Sequence, residues 1–260
     1  GIDLLSFTGS TPIGISSMEL AAKTLKPCLL ELGGNDAFIV LADADLDLAV
    51  SEAIAGRLLF SGQVCCASKR FLVHNSVRET FTNKLITALE SVVCGDPLDP
   101  AVQVGPVINE EAAKKIEEQV NRIIEQGGRL LLGGKRNGTF FEITVLTDVP
   151  PTSDVAKDEE IFGPVIPIIG FDTTQEAISI ANASSYGLNS CVFSSNASEA
   201  MTVAYAMQAG TAVINGSGLF RSNEMPFGGH KRSGLGTEGT LTSLEECSQL
   251  KTIVLKNIIV

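Results

Sequence analysis

Two short segments, whose reactive residues lie 34 positions apart, hold the parts of a reaction: Glu31-Leu32-Gly33-Gly34 and Gly62-Gln63-Val64-Cys65-Cys66-Ala67-Ser68. Together they supply a carboxylate, glycine turns and a thiol. A thiol is a strong nucleophile once ionised. A carboxylate held beside it can activate the water that resolves an acyl-sulfur intermediate. These parts suit the formation and hydrolysis of a thioester. Cys65 follows a helical stretch, in a Ser-Gly-Gln turn where backbone amides can face a thiolate or an oxyanion. A free cysteine is more often a small buried hydrophobe, so Cys65 points to chemistry only together with Glu31. If the chain is extended here, Cys66 points away from Cys65.

Four other segments carry recognisable chemistry. Phe7-Thr8-Gly9-Ser10-Thr11-Pro12-Ile13-Gly14 reads as a turn opening a helix, whose free amides favour phosphate; a plain strand-to-helix turn fits these residues too. Glu159-Glu160-Ile161-Phe162-Gly163-Pro164 reads as a helix end running into a Gly-Pro turn. Pro226 to Gly236 is a glycine-rich run, Pro-Phe-Gly-Gly-His-Lys-Arg-Ser-Gly-Leu-Gly. Before it, Arg221 can pair bidentately with a carboxylate and Ser222 can add a hydrogen bond. A solvated loop arginine fits Arg221 equally well.

These residues must be held by a scaffold, and the hydrophobic pattern describes one. Apolar runs predict strands over residues 4–8, 28–30, 37–41, 70–74, 129–132, 142–146, 165–169, 191–194 and 211–214. Helical periodicity runs from the Gly9–Gly14 turn to about residue 23, and over 45–60, 77–93, 110–125, 174–183 and 199–208. Asp45 and Asp47 suit the first turn of the second helix. Alternation of strand and helix implies an α/β fold with a mostly parallel sheet covered on both faces. Residues 250–256 alternate and are β-branched, which predicts a last strand with no local partner.

The 260 residues carry a net charge of −11 and a hydrophobic fraction of 44%. The charge disfavours nucleic acid and anionic membranes as partners. No apolar run spans a bilayer, and the first residues do not read as a signal peptide. The six cysteines lack CxxC spacing and there are two histidines, so neither a metal site nor a disulfide framework is expected. Reduced thiols point to the cytoplasm.

Taken together and in this order, the segments resemble the aldehyde dehydrogenase superfamily over essentially the whole chain. The resemblance implies that Cys65, in the G-Q-x-C pattern, is the catalytic thiol and that Glu31 is the base for deacylating water. It implies NAD or NADP as cofactor. Gly9, Ser10 and Gly14 would belong to the pyrophosphate turn, with Leu32 and Gly33 beside the cofactor. Glu160 would bind the nicotinamide ribose and Phe162 would pack near its ring. Phe227 would line the substrate tunnel. The Arg221 loop is most similar to that of succinate semialdehyde dehydrogenases, which implies a small aldehyde substrate. Two departures stand out: Phe60 where the family usually has Asn, expected to reshape the pocket wall, and Thr237 where a basic residue is usual. Relatives that pass the acyl group to coenzyme A tend to lack Glu31, so its presence favours hydrolysis to an acid.

The resemblance also divides the chain. Residues 1–30 would be the end of a Rossmann-like cofactor domain, 31–234 the thiol domain, and 235–260 a return segment with an oligomerisation strand. A homodimer or homotetramer is then expected of a full-length form. The isolated half is expected to be poorly active alone, and a non-catalytic assembly module or remnant of such an enzyme is the alternative.

Overall fold

The computed structural model describes residues 1–257. Strand β1 (Leu5–Thr8) leads into helix α1 (Thr11–Ala22) and strand β2 (Cys28–Glu31). Strand β3 (Asp36–Val40) and helix α2 (Leu46–Leu58) follow, then a 3-10 turn over Leu59–Gly62. Next come β4 (Ser68–His74), α3 (Asn75–Leu89), α4 (Glu110–Glu125) and β5 (Arg129–Leu132). The short β6 (Arg136–Asn137) and β7 (Phe140–Phe141) precede β8 (Thr144–Thr147), α5 (Asp154–Lys157) and β9 (Val165–Phe171). The chain continues through α6 (Thr174–Asn182), β10 (Tyr186–Gly187), β11 (Asn189–Phe193), α7 (Ala197–Ala206) and β12 (Thr211–Ile214). It closes with β13 (His230–Lys231), β14 (Gly234–Leu235) and α8 (Thr240–Glu246).

Seven strands form the main sheet in the order β12-β11-β3-β4-β9-β8-β5. All neighbours are parallel except β5, which pairs antiparallel with β8. The fold is α/β, as the alternation predicts. Strands such as Asp-Ala-Phe-Ile-Val are buried at every position because helices cover both faces. Side chains alternate between two cores. Ile39, Leu72, Ile169 and Val192 pack against α4, α6 and α7. Phe38, Phe71, Val73 and Phe193 pack against α2 and α3. Phe38 stacks on Phe193 with ring centroids 4.6 Å apart.

A separate three-stranded sheet, β1-β2-β14, pairs β2 parallel to β1 and antiparallel to β14. Its core is small, built on Cys28, Leu30 and Leu32. Glu31 therefore ends a strand of the small sheet, and Leu32–Asn35 carry the chain straight into β3, an interior strand of the large one.

Two expectations are corrected. Residues 250–256 form no strand, and Leu250, Ile253, Val254 and Leu255 are exposed. A strand exists only when another edge satisfies its backbone groups, and the described residues present none there. The second predicted helix stops at Leu58 rather than residue 60, because Phe60 and Ser61 take left-handed backbone conformations. Helix α8 carries no apolar stripe that buries, so no periodicity announced it.

Candidate active site

The end of α2 shapes the nucleophile turn. Phe60, Ser61 and Gly62 have φ of 52°, 58° and 77°, a run that reverses the chain. A Cβ on Gly62 would lie 2.3 Å from the Gly163 carbonyl oxygen, so only glycine lets this turn meet the Glu160-Ile161-Phe162-Gly163 segment. Phe60 is 73% exposed and lines no cavity of the site. The pocket wall is thus not reshaped by it; what its position demands is a left-handed backbone, which Asn tolerates better than Phe.

Ala67 N–H donates to the Val64 carbonyl at 3.2 Å, closing a turn around Cys65 and Cys66. The segment is not extended, and Cys66 does not point away. Its thiol and its N–H both donate to the Cys65 sulfur. Together with the Lys69 ammonium, these bonds outweigh burial and lower the Cys65 thiol to about 6. The same bond, and burial, push the Cys66 thiol up. The pair therefore favours a thiolate at Cys65 and a thiol at Cys66. Among the described residues the Cys65 N–H has no acceptor, so it is free to meet an oxyanion.

Glu31 is 8% exposed. Burial, then Glu238 and then the Cys65 sulfur push its carboxyl up to about 8, while Arg221 opposes them. One carboxylate oxygen is buried without a hydrogen-bond partner. That is the state of a group able to hold a proton or bind a water.

A cavity of about 1020 Å³ brings Cys65 and Glu31 together with Gly9, Ser10, Leu32, Gly33, Glu160 and Phe162. Gly14 is not on its wall; it packs beneath, where a Cβ would meet Leu32 Cδ2 at 2.5 Å. Arg221 lies in a second cavity of about 360 Å³, reached through Glu31, which lines both. The Arg221 guanidinium sits 4.2 Å over the Phe227 ring and pairs with Glu238 at 3.4 Å. Phe227 is buried under it rather than on a cavity wall, and Ser222 is exposed, its N–H directed at the Met225 sulfur. The thiol and cofactor-side residues therefore converge, and two of the three substrate candidates do not.

With that geometry in hand, the comparison with known proteins is direct: the model of the Aldehyde dehydrogenase family matches residues 1–253. The chain belongs to the aldehyde dehydrogenase family. A lactaldehyde dehydrogenase of Methanococcus maripaludis is 42% identical over 99% of this chain and 54% of the relative. The NADP-dependent succinate-semialdehyde dehydrogenase GabD of Escherichia coli is 42% identical over 95% of this chain and 52% of the relative. Among solved structures, glyceraldehyde-3-phosphate dehydrogenase GapN of Methanocaldococcus jannaschii complexed with NADP superposes with a TM-score of 0.93 at 41% identity. It covers 97% of this chain and 54% of that one. The chain spans about half the length of the relatives it matches.

The residues of this aldehyde dehydrogenase-family chain fit a nicotinamide dinucleotide. The first turn of α1 opens on the large cavity, with no side chain capping its amides. Opposite, Glu160 lies so close to Gly33 that a Cβ there would meet its Oε2 at 2.4 Å. Phe162 is 40% exposed on the same wall. Three charged residues of the site escaped the sequence reading. Glu238 acts on Glu31, Asp36 is buried beneath the thiol turn, and Lys69 is buried at its base. Position in the chain could have flagged Glu238, two residues after the glycine run. Nothing in the sequence separates Asp36 and Lys69 from ordinary strand-end charges.

Proposed function

We propose that this chain carries the thiol chemistry of an NAD(P)-dependent oxidation of a small aldehyde to its carboxylic acid. The observation that supports this reading most is the pair Cys65 and Glu31 on one cavity, the thiol lowered to about 6 and the carboxyl raised to about 8. The Cys65 thiolate adds to the aldehyde carbonyl, and the Cys65 N–H donates to the oxyanion formed. The amides of α1, Gly33, Glu160 and Phe162 hold the nicotinamide dinucleotide, which supplies a hydride acceptor when bound. Cys65 then carries the acyl group as a thioester. Glu31 takes a proton from the attacking water, and the sulfur leaves as a thiolate stabilised by Cys66 and Lys69.

The charge of Cys65 also times the base. The thiolate is one of the causes that raise Glu31. Acylation makes that sulfur neutral, so Glu31 ionises more readily once there is a thioester to hydrolyse.

For the substrate, we propose an aldehyde that bears a carboxylate, such as succinate semialdehyde. Arg221 beside Glu31 supports this, as does the similarity to GabD. Under the same reading the working form is a cytoplasmic homo-oligomer, with residues 1–30, 31–234 and 235–260 acting as cofactor-side, thiol and return segments. The exposed apolar side chains at Leu250 and residues 253–255 support association through the return segment.

The test is alkylation with a limiting amount of iodoacetamide, read by intact mass and peptide mapping across pH. Selective labelling of Cys65 over the other five cysteines, half-maximal near pH 6, is expected. Labelling spread evenly over the cysteines overturns the reading.

A further inference from the structure

A β-bulge aims one lysine into this site. Asp36 pairs with Ser68 and Ala37 with Arg70, which leaves Lys69 of β4 as the unpaired extra residue. Bulges re-aim side chains, and this one sends Lys69 inward, where it is 1% exposed. Its ammonium donates to the Val64 carbonyl at 3.0 Å and the Cys65 carbonyl at 2.5 Å, with the Ala67 carbonyl at 3.5 Å. It also pairs with Glu160 Oε1 at 3.2 Å. The same Oε1 accepts the Gly34 N–H at 2.9 Å.

We propose that Lys69 is a positioning residue that fastens the Cys65 turn to Glu160, so that one buried ammonium sets the nucleophile and the cofactor-side carboxylate against each other. The proposal rests on the reading of Cys65 as nucleophile and Glu160 as a cofactor contact, and deepens it. An ammonium offers three donors on one point charge, and here they are divided between the turn and the carboxylate. A buried cation is stable only when paired and hydrogen-bonded. Lys69 therefore cannot let go of one partner without the others rearranging. Loss of Glu160 as a partner would loosen the turn that holds the sulfur, and loss of Lys69 would leave Glu160 an unpaired carboxylate facing the thiolate.

The groups facing the Cys65 sulfur are Cys66 from its own turn, Lys69 from β4, Glu160 from the segment before β9, Glu31 from the end of β2 and Asp36 from β3. Lys69 is the one cation among them. Glu160 acts on the sulfur in the opposite sense.

The experiment is a double-mutant cycle on the intact chain, using Lys69→Met, Glu160→Gln and the double variant. The readout is the pH midpoint of Cys65 alkylation by iodoacetamide, with circular dichroism as the folding control. Lys69→Met is expected to raise the midpoint by about one unit or more. Glu160→Gln is expected to lower it slightly in the native background. It should lower it by much more beside Lys69→Met, because the carboxylate is then uncompensated. A role in packing alone would not produce that dependence. An unchanged midpoint in folded Lys69→Met, or equal Glu160→Gln shifts in both backgrounds, overturns the proposal.

If Lys69→Met does not fold, hydrogen exchange of the peptide spanning residues 63–67 in Glu160→Gln decides. Faster exchange there supports the tie between the two segments, and unchanged exchange refutes it. The underlying functional reading fails separately, by absence of selective Cys65 labelling in the native chain.

Discussion

The two sides of Glu31 are built differently. On the thiol side, three buried cations are spent on backbone carbonyls. Arg57 donates to Val165 and Ile161, Lys69 to Val64 and Cys65, and Arg70 to Asn35, Ala156, Ile180 and Ala181. Each ties together segments distant in the chain or closes a turn, with acceptors in loops, at a strand start and in helices. On the Arg221 side, the one guanidinium is half exposed, stacked on Phe227 and paired with an exposed Glu238. Turns leave carbonyls unpaired, and where they are buried a cation with several donors can satisfy them all. A loop open to water needs no such tie. The thiol side is therefore a fixed frame, and the Arg221 side is open to water.

Substitution of the two kinds of arginine should show this contrast most strongly. Arg70→Met removes the guanidinium from the Asn35, Ala156 and Ala181 carbonyls, while Ile180 keeps its bond from the Ala183 N–H, and is expected to cost on the order of 4 kcal/mol. Arg221→Met removes an exposed pair and a cation–π contact, and is expected to cost below about 1 kcal/mol. Urea denaturation of the two variants measures both; equal losses would remove the distinction.

Acidity sharpens it further. Glu31 is raised to about 8 and Asp36 to about 7, burial being the largest cause of each. Both folded values lie above the unfolded ones, so their contribution is present at low pH and is lost as pH rises toward 7 and 8. Glu31→Gln and Asp36→Asn should each flatten the fall in stability between pH 5 and pH 9, by on the order of 2–3 kcal/mol. The denaturation midpoint as a function of pH reads this. A slope that neither variant changes would show that these carboxyls are not the cause.

The glycines give a smaller test. Gly62→Ala places a Cβ on a left-handed residue and against the Gly163 carbonyl. It is expected to cost about 2 kcal/mol and to slow Cys65 alkylation. Gly216→Ala, whose Cβ would lie 3.2 Å from the Val213 Cγ1, is expected to cost below about 1 kcal/mol and leave the thiol unchanged. The least effect belongs to electrostatics across the divide. Arg221 lowers Glu31, so Arg221→Met should move the acid limb of thioester hydrolysis, where the rate rises with pH, upward by a few tenths of a pH unit.

Much of this frame was legible before any coordinates. Parallel strands buried on both faces read as continuous apolar runs, so β3, β4 and β9 announced themselves. The strand-end segment at Glu31 and the G-Q-x-C segment are local patterns, because each needs glycine for its own turn. What stayed hidden depends on distant partners. Cys66 turned toward Cys65 because three residues before it are left-handed, which Phe-Ser-Gly does not advertise. Lys69 resembles any strand-end lysine until the bulge and its buried carbonyls are seen. The last apolar segment has the alternation of a strand, but alternation describes side chains, and pairing is a property of two backbones.

Residue order alone established the α/β class and the alternation of its elements, since both follow from periodicity, and it marked Cys65 and Glu31 as candidates, since each sits in a short run with its own glycines. The folded chain decided which of those residues share a cavity, that its surroundings push the Cys65 thiol down and the Glu31 carboxyl up, and that the Arg221 loop meets the site through Glu31. Those outcomes depend on burial and on neighbours in space, from Cys66 and Lys69 beside Cys65 in the chain to Glu238 acting on Glu31. Electrostatic shifts depend on distance and dielectric, and neither is written in the order of residues.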